Sequence, residues 1–379
     1  MVIIIVYSYL WLEKCKNRVP RKVKPINRRN FKACYSYHFS AMPKRILITG
    51  AGGFIGGFLV EEALRRGYET WAGVRASTSR AYLTDERIHF VDLAFADKAK
   101  LKSQLTEGDT FGSGRRWDII VHNLGVTKCR DSADFERINY GYVKNFSEAL
   151  IETGTVPDQF ILMSSLGAWG AGDERRYTPI RPDDEPHPDT LYGRSKLKAE
   201  RFLQSLPDFP YVFMRPTGVY GPRERDYYLM MKSIKAGFDF SVGYRRQLLT
   251  FIYVKDLVKA VFLAADKGVK RRGYFLSDGG VYTSSQFRRY VARELHKGVV
   301  VPVRVPLFLL KAVCYAAGFL AGIFGTSSTL NRDKYRIMKQ RNWVCDTTAA
   351  REELGFVPDY PLERGVAEAV AWYRREGWL

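Results

Sequence analysis

Residues 44–56 read KRILITGAGGFIG and place a glycine-rich turn directly after a short apolar run. Three glycines of this turn suit three tasks. Gly50 allows the tight bend, Gly53 lets the backbone approach a pyrophosphate, and Gly56 lets the following helix pack closely on the strand. The N-terminus of that helix directs N–H groups and partial positive charge at the same place. Because the turn stands between a strand pattern and an amphipathic helix pattern, it predicts a dinucleotide-binding βαβ unit.

The end of the second predicted strand bears on which dinucleotide is bound. A site that prefers NAD usually carries an acid here, which accepts a hydrogen bond from the ribose 2′-hydroxyl. This chain instead has Arg75, followed by Ala-Ser-Thr-Ser at 76–79. A guanidinium and hydroxyl groups suit a 2′-phosphate, so we expect NADP, with NAD and a solvated Arg75 as the alternative. Asp92 and Leu93, after the third strand, are expected beside the adenine ring.

Apolar runs alternate with helical patterns from Lys44 onward, which is typical of a parallel sheet covered by helices on both faces. A first helix is predicted at 53–66. Further strands are predicted at 68–74, 88–91, 117–122, 159–163, 211–214 and 248–254, the last followed by a helix at 256–265. The fold class is therefore α/β: a Rossmann-like, doubly wound parallel sheet with a smaller C-terminal substrate-binding lobe. The domains expected are a basic extension at 1–43, an NAD(P)-binding domain at 44–220 and a mainly substrate-binding lobe at 221–379, with 248–277 returning to the first domain.

The N-terminal extension carries nine Lys/Arg against one acid, Glu13. Its apolar run at 1–12 is shorter than the ~20 residues that a membrane-spanning helix needs. Positive charge follows that run, the reverse of a secretory signal peptide. We interpret the extension as disordered or as the product of an upstream start codon, with Met42 as the functional start. A weak membrane anchor is the alternative.

The composition narrows the class of protein. The net charge of +20 could indicate nucleic-acid binding, but no helix-turn-helix, zinc-finger or stacking motif accompanies it, so we expect no nucleic acid. The five cysteines are scattered without a CxxC pair, which favours reduced thiols in a cytoplasmic protein. The histidines are isolated, so no metal is predicted. The apolar stretch at 305–325, which Lys311 interrupts, favours a buried helix of the small lobe over a transmembrane helix, and no stable membrane insertion is expected.

Position separates one YxxxK pattern from three others. The pattern YxxxK occurs four times, beginning at Tyr140, Tyr192, Tyr228 and Tyr335. Only Tyr192 begins a helix shortly after the strand that ends in a serine pair, 27 residues beyond Ser165. The i,i+4 spacing places Tyr192 and Lys196 on one helix face. The other three patterns are interpreted as packing or surface pairs.

Four motifs occur in the order found in a known family. They are TGxxGxxG at 49–56, SSLGAWG at 164–170, YGRSK at 192–196 and RPTGVYGP at 215–222. With them the chain resembles the extended short-chain dehydrogenases/reductases, the NAD-dependent epimerase/dehydratase family, over 44–379. The resemblance includes the C-terminal segments 343–346, 354–356 and 372–373.

The resemblance implies a catalytic set of Ser165, Tyr192 and Lys196. Tyr192 would take a proton from a substrate hydroxyl, and Lys196 together with the cationic nicotinamide would lower its pKa, which is near 10 in free tyrosine. Lys196 would also bind the nicotinamide ribose, and Ser165 would bond to the reacting oxygen. Asn139 matches a family asparagine or is structural, and Arg223 either meets a substrate phosphate or is solvated. The expected cofactor contacts are Gly50, Gly53, Phe54, Ile55, Gly56, Arg75, Asp92, Leu93, Asn123, Tyr192, Lys196, Pro216 and Val219.

Several reactions remain open within this resemblance. Leu166 and Gly167 stand where the sugar-nucleotide 4,6-dehydratases carry an acidic pair, which disfavours a dehydratase. Trp169 stands where epimerases often carry tyrosine. We expect an NAD(P)-dependent oxidoreductase or epimerase acting at a secondary alcohol or ketone, with a nucleotide sugar as one candidate substrate. The alternatives are an NADPH-dependent ketone or aldehyde reductase resembling dihydroflavonol reductase or 3β-hydroxysteroid dehydrogenase, and a non-catalytic dinucleotide-binding regulator. A homodimer is one expected assembly.

Overall fold

The structure is a computed structural model that describes residues 43–107, 116–129, 131–323 and 332–379. All elements named below belong to the unit Lys44–Leu379. The predicted N-terminal extension at 1–43 lies outside the described residues, apart from Pro43.

Eleven strands and twelve α-helices are named within the described residues. The strands are β1 (Arg45–Thr49), β2 (Glu69–Gly73), β3 (His89–Val91), β4 (Ile119–His122), β5 (Gln159–Met163), β6 (Tyr211–Pro216), β7 (Gly218–Tyr220), β8 (Phe238–Val242), β9 (Phe251–Tyr253), β10 (Arg272–Leu276) and β11 (Val301–Val305). The helices are α1 (Phe54–Arg65), α2 (Lys98–Thr106), α3 (Ala133–Glu136), α4 (Tyr142–Glu152), α5 (Leu191–Ser205), α6 (Asp226–Lys235), α7 (Val254–Lys267), α8 (Ser284–Glu294), α9 (Leu307–Ile323), α10 (Arg332–Lys339), α11 (Thr348–Leu354) and α12 (Leu362–Arg375). A π-helical turn, Arg137–Gly141, joins α3 to α4.

Seven parallel strands form the central sheet in the order β10-β6-β5-β4-β1-β2-β3. The chain builds β1, β2 and β3 outward on one side and then crosses to build β4, β5 and β6 on the other. The strand order therefore reverses between β1 and β4, and in open α/β sheets ligands bind at the carboxyl ends of the strands at such a point. The predicted α/β, Rossmann-like fold class is confirmed.

Side chains of β1 divide the core into two apolar layers, because successive residues of a strand face opposite sides of the sheet. Ile46 and Ile48 pack in the layer that contains α1 and α7. Leu47 packs in the layer that contains α2, α4 and α5. All five residues of β1 are buried, which explains why the first strand is a continuous apolar run.

The C-terminal part adds smaller elements around its own apolar cluster. Two parallel pairs, β8 with β11 and β7 with β9, lie outside the central sheet. The cluster is formed by α6, α8 and α12 together with β7 and β9. In contrast β10, at 272–276, pairs with β6 at the edge of the central sheet. We propose the division into 44–220 and 221–379, with 248–277 returning to the first part through α7 and β10, while β9 packs in the C-terminal cluster.

The prediction of a buried helix at 305–325 is wrong. The helix α9 forms there, but of its side chains at 307–319 only Leu310 and Cys314 are buried. Those two residues lie four positions apart on one face, and α9 contacts α10, whereas most of its other side chains at 307–319 are solvent-exposed. Within the described residues, none of the helices combines the length and the hydropathy that crossing a bilayer requires.

Candidate active site

The glycine-rich turn has the geometry that its sequence predicts. Gly50 adopts a left-handed conformation with φ +65°, and a Cβ there would lie 3.0 Å from the backbone of Leu124. The Gly53 amide donates to the Gly50 carbonyl oxygen at 3.0 Å, which closes the turn. A Cβ on Gly56 would lie 2.2 Å from the same carbonyl oxygen, so α1 can approach the turn only without a side chain there. Gly53 is the N-cap of α1 and gives it no side-chain cap, so N–H groups of the first turn remain for an anion.

A cavity of about 1420 Å³ opens at the carboxyl ends of the central strands. It begins at the glycine turn and reaches across the point where the strand order reverses. Its wall includes every expected cofactor contact except Gly56, which lies behind the turn against Gly50 and Ala51. The hydroxyl oxygens of Ser164 and Thr217 are buried in this wall and have no hydrogen-bond partner among the described residues. An elongated cavity with a glycine cradle and unpartnered hydroxyls fits a dinucleotide.

The segment after β2 forms the wall at one end of the cavity. Arg75 is exposed there, beside lining residues 76–78. The carboxylate of Asp92 accepts a hydrogen bond from the Ala76 amide at 3.1 Å, which ties this segment to the end of β3. A Cβ on Gly52 would lie 2.3 Å from Cγ2 of Thr78, so the segment packs directly on the glycine turn.

The helix α5 brings Tyr192 and Lys196 to the cavity beside Ser165. Its N-cap is Thr190, whose hydroxyl accepts from the Gly193 amide at 3.0 Å, so Tyr192 lies in the first turn. The Ser165 hydroxyl lies beside the Tyr192 ring: a Cβ on Gly167 would lie 3.3 Å from Ser165 Oγ and 3.8 Å from Tyr192 Cε1. The Lys196 ammonium Nζ lies one turn later and donates to the carbonyl oxygen of Met163, at the end of β5, at 2.8 Å.

Burial dominates the electrostatics of this set. Burial raises the pKa of Tyr192, and the neighbouring Ser165 hydroxyl opposes that shift. Burial lowers the pKa of Lys196 to about 8, and the Glu200 carboxylate partly opposes it. The Lys196 ammonium bonds to a backbone carbonyl. The expected lowering of the Tyr192 pKa by Lys196 together with a cationic nicotinamide stays a prediction.

Asn139 connects the cavity wall to α5. It lies in the π-helical turn and is fully buried. Its Oδ1 accepts from the Val126 amide at 2.8 Å, and its Nδ2 donates to the Val126 carbonyl oxygen at 3.0 Å and to Ser195 Oγ at 3.1 Å. A Cβ on Gly125 would lie 2.9 Å from Asn139 Oδ1 and 3.0 Å from Lys196 Nζ. Asn139 therefore holds the loop after β4 close to the Lys196 ammonium.

A buried histidine that the sequence reasoning missed stands at the reversal point. The Nδ1 of His122, the last residue of β4, lies 3.2 Å from Thr49 Oγ1, and the same oxygen accepts from the Leu124 amide at 3.1 Å. Burial and the nearby Lys196 charge lower the His122 pKa to about 3, so the ring is neutral at physiological pH. It therefore serves to hold β1, β4 and the loop after β4 together.

Two arginines that follow β5 in the chain, Arg215 and Arg223, do not line the cavity. Arg215, in β6, forms a buried ion pair with Glu200 at 2.8 Å and stacks on Trp169 at 3.8 Å. Arg223 does not line the cavity: its guanidinium lies over the rings of Phe58 and Tyr82 and bonds to Glu61. The suggestion that Arg223 meets a substrate phosphate is therefore not supported by its position.

The C-terminal part supplies a wall that the sequence did not indicate. Its described lining residues are Glu224, Asp226, Tyr227, Leu229, Met230, Lys334 and Met338. They lie in or just before α6 and in α10, where the strand and helix patterns of the sequence are weakest. Burial raises the pKa of the Glu224 carboxyl, against hydrogen bonds from the Asp226 and Tyr227 amides. Lys334 forms an ion pair with Asp226 at 3.5 Å.

Comparison with known proteins agrees with this geometry. The model of the NAD dependent epimerase/dehydratase family matches residues 46–276. UDP-glucose 4-epimerase of Vibrio cholerae is 24% identical over 339 residues, which cover 86% of this chain and 94% of that protein. Sterol-4-alpha-carboxylate 3-dehydrogenase, decarboxylating, of Dictyostelium discoideum is 21% identical over 349 residues, which cover 86% of this chain and 99% of that protein.

A solved structure is similar over nearly the whole described unit. UDP-glucose 4-epimerase of Thermus thermophilus, in complex with NAD, gives a TM-score of 0.67 at 19% identity and covers 87% of this chain and 99% of that chain. At this identity the likeness shows the fold alone. The family model, by contrast, extends from β1 to β10 and so includes the glycine turn, Ser165, Tyr192 and Lys196. The chain is therefore an enzyme of the NAD-dependent epimerase/dehydratase family, within the extended short-chain dehydrogenases/reductases.

Proposed function

We propose that the chain holds a nicotinamide dinucleotide in the cavity and interconverts a secondary alcohol and a ketone on a predominantly apolar substrate. The observation that carries the proposal is the placement of Ser165, Tyr192 and Lys196 together in the same cavity wall as the glycine turn. When bound, the dinucleotide supplies or accepts the hydride. The chain's own residues bind the substrate oxygen and move its proton.

Each of the three catalytic residues has a role that its surroundings support. The Ser165 hydroxyl bonds to the reacting oxygen and to Tyr192. Tyr192 Oη, in the same wall, donates a proton to the carbonyl oxygen in the reductive direction and takes it from the hydroxyl in the oxidative direction. Lys196, with a pKa of about 8, carries a positive charge at pH 7 that stabilises the phenolate left behind.

The proposed catalytic role is tested with Tyr192→Phe. This change removes the proton donor and leaves the ring in place, so we expect turnover to fall by about two to four orders of magnitude. Dinucleotide affinity, measured by tryptophan fluorescence or calorimetry, should change by less than about threefold. The matched control is Tyr140→Phe, since Tyr140 begins a YxxxK pattern but packs on Phe202 and does not line the cavity. Equal turnover of both variants would contradict the proposed role.

We propose NADP as the preferred dinucleotide. The support is Arg75, an exposed guanidinium in the wall beside residues 76–78, with no carboxylate among those neighbours. Arg75→Asp should lower the ratio of NADPH affinity to NADH affinity by about tenfold or more. Arg80→Asp is the control. It makes the same change of charge, but the Arg80 guanidinium stacks on the Phe90 ring at 4.0 Å, outside the cavity wall. An unchanged affinity ratio in Arg75→Asp would reject the preference.

The proposal of an apolar substrate comes from the wall of the C-terminal part. Four of its seven described residues are apolar or aromatic. Two others, Glu224 and Asp226, are carboxylic acids, and the one cation there, Lys334, is paired with Asp226. Among the described lining residues of this part there is no arginine. A diphosphate is usually held by arginine or lysine, so this wall suits an uncharged substrate better than a nucleotide sugar.

Epimerisation of a nucleotide sugar is the second candidate. The support is the likeness to UDP-glucose 4-epimerase over almost the full length of both chains. A turnover screen separates the two candidates: apolar ketones and secondary alcohols, including sterols, are offered beside UDP- and GDP-sugars, each with both cofactors. Net oxidation or reduction of an apolar compound supports the first proposal, whereas a changed sugar without net change in cofactor supports the second. Binding of cofactor without any turnover would indicate a regulator.

A further inference from the structure

The helix α9 presents apolar side chains to solvent over most of its circumference. Phe308 is 77% exposed and Phe319 is 70% exposed, and Leu309 and Val313 are also exposed. A helix that is apolar on all sides is ordinarily buried in a protein core or in lipid. Large exposed apolar patches mark surfaces that bind a protein or a membrane. The exposed side chains of α9 therefore indicate a binding surface.

The exposed apolar surface continues onto the neighbouring strand pair. Phe238 and Phe240 of β8 are both exposed, and they lie on one side of the strand with ring centroids 6.4 Å apart. Their partner strand β11 leads directly into α9. The end of β8 is also close to the start of α9, because a Cβ on Gly243 would lie 3.6 Å from Leu307 Cγ. We call the exposed apolar side chains of β8 and α9 the apolar face.

The segment that carries β11, α9 and α10 has mainly positive charges, of which Lys334 and Lys339 pair with Asp226 and Asp189 outside it. Residues 297–339 contain seven Lys/Arg and one acid, Asp333. Asp333 is buried, and its carboxylate accepts a hydrogen bond from the Leu191 amide at 2.8 Å. In contrast, Lys311 and Arg332 are exposed, and both charged groups lie within 6 Å of the Tyr315 ring, on the flank of α9. An apolar surface flanked by cations complements an anionic lipid surface.

We propose that the apolar face docks on an anionic lipid bilayer and lies at its surface without crossing it. The length of α9 supports this arrangement. The 17 residues of α9 that the structure describes span about 25 Å, which is less than the ~30 Å hydrocarbon core of a bilayer. Lys311 would stay at the level of the headgroups, since its long side chain can reach them from an apolar surface.

Docking would bring the cavity close to the bilayer. The helix α10 packs on α9, and α10 contributes Lys334 and Met338 to the cavity wall. Leu229 and Met230 of α6 line the same wall and are exposed. An apolar substrate could then pass from the bilayer to the cavity. This consequence rests on the proposed function, whereas the docking itself does not.

Vesicle co-sedimentation of the full chain tests the proposal without any need for turnover. Vesicles of phosphatidylcholine alone are compared with vesicles of phosphatidylcholine and phosphatidylserine. We expect the wild type to sediment with the anionic vesicles and far less with the neutral ones. Phe308→Glu/Phe319→Glu should weaken binding to the anionic vesicles roughly tenfold or more. Val357→Glu, at an exposed apolar residue after α11, is the matched control and should bind as the wild type does.

Two results would overturn the proposal. One is equal vesicle binding by Phe308→Glu/Phe319→Glu and the wild type. The other is a wild-type dimer in light scattering that this double variant converts to monomers, with no binding of the wild type to vesicles, because a second copy would then cover the apolar face. Both replaced side chains are exposed, so the variant is expected to keep the circular dichroism and dinucleotide affinity of the wild type.

Discussion

Replacing Gly56 with alanine should break the contact between α1 and the glycine turn, whereas the same change at Gly57 should not. The new Cβ at 56 would lie 2.2 Å from the Gly50 carbonyl oxygen and 2.7 Å from the Ala51 Cα, which are backbone atoms of the turn itself. At 57 the nearest atom is Nη1 of Arg223 at 3.2 Å, the end of a flexible side chain. Alanine at these two neighbouring positions of α1 should therefore affect the stability of the protein differently.

The magnitudes follow from two opposing terms. Alanine is favoured over glycine in a helix interior by about 1 kcal/mol, and this gain applies at both positions. At Gly56 the overlap with backbone places the overpacking cost at or above the upper end of the usual ~1–3 kcal/mol. We expect Gly56→Ala to lower the free energy of unfolding by about 2 kcal/mol or more, and Gly57→Ala to change it by between about −0.5 and +1 kcal/mol.

Equilibrium urea unfolding of both variants, followed by circular dichroism in one buffer, measures this difference. Dinucleotide affinity supplies a second readout, because a shift of the α1 N-terminus away from the turn should weaken binding in Gly56→Ala alone. Unfolding free energies of the two variants that agree within about 0.5 kcal/mol would refute the inferred contact.

Three further changes test other parts of the site. Because burial lowers the Lys196 pKa from 10.5 to about 8, the unfolded chain binds more protons in this interval, so wild-type stability should rise from pH 8 to pH 10.5. Urea unfolding of Lys196→Met should show a smaller rise, and equal slopes would argue against the lowered pKa. Arg215→Met leaves Glu200 charged and buried, so the free energy of unfolding, measured in urea, should fall by about 3–5 kcal/mol. Adding Glu200→Gln to this variant should restore part of the loss. Asn139→Ala removes the side-chain oxygen that accepts from the Val126 amide and the side-chain nitrogen that donates to the Val126 carbonyl oxygen. The Val126 amide should therefore exchange hydrogen faster. An unchanged exchange rate would exclude the positioning role.

The sequence predicted the dinucleotide half of the fold well because its strands are buried on both faces. The strand at Gln159–Met163 has the bounds that its apolar run predicts, and all five of its residues are buried. Burial alone does not fix the bounds of a strand: every residue of 248–254 except Leu249 is buried, yet the prediction there was less accurate. The strand expected at 248–254 extends only over Phe251–Tyr253, and the next helix begins two residues earlier than expected, at Val254.

The apolar stretch of α9 was misjudged for a different reason. Hydropathy indicates that a segment avoids water, but it does not identify what covers the segment. A helix destined for a protein core and one destined for an external partner share the same composition. The pair Leu310 and Cys314 packs inward, and nothing in the local sequence distinguishes these residues from the exposed Phe308 and Phe319.

Part of the site was accessible from sequence because its residues stand at fixed places relative to strands. Tyr192 was separated from three other YxxxK tyrosines by its distance from Ser165, and both residues line the same cavity wall. The wall formed by Glu224 and Tyr227 was not accessible, because it depends on how α6 packs against α8, a contact between segments distant in sequence. Arg223 illustrates the same limit: its loop position suggested a ligand contact, whereas tertiary packing places it over Phe58 and Tyr82.

The position of β10 at the edge of the central sheet limits how this chain can be cut. A fragment that ended at residue 220 would lack β10, and the backbone of β6 would lose the strand that pairs with it over Val212–Pro216. An uncovered strand edge of this kind invites pairing with other copies and leads to aggregation. Deletions meant to separate nucleotide binding from substrate choice should therefore keep residues through Leu276, and chimeras between relatives should exchange the segments that follow it.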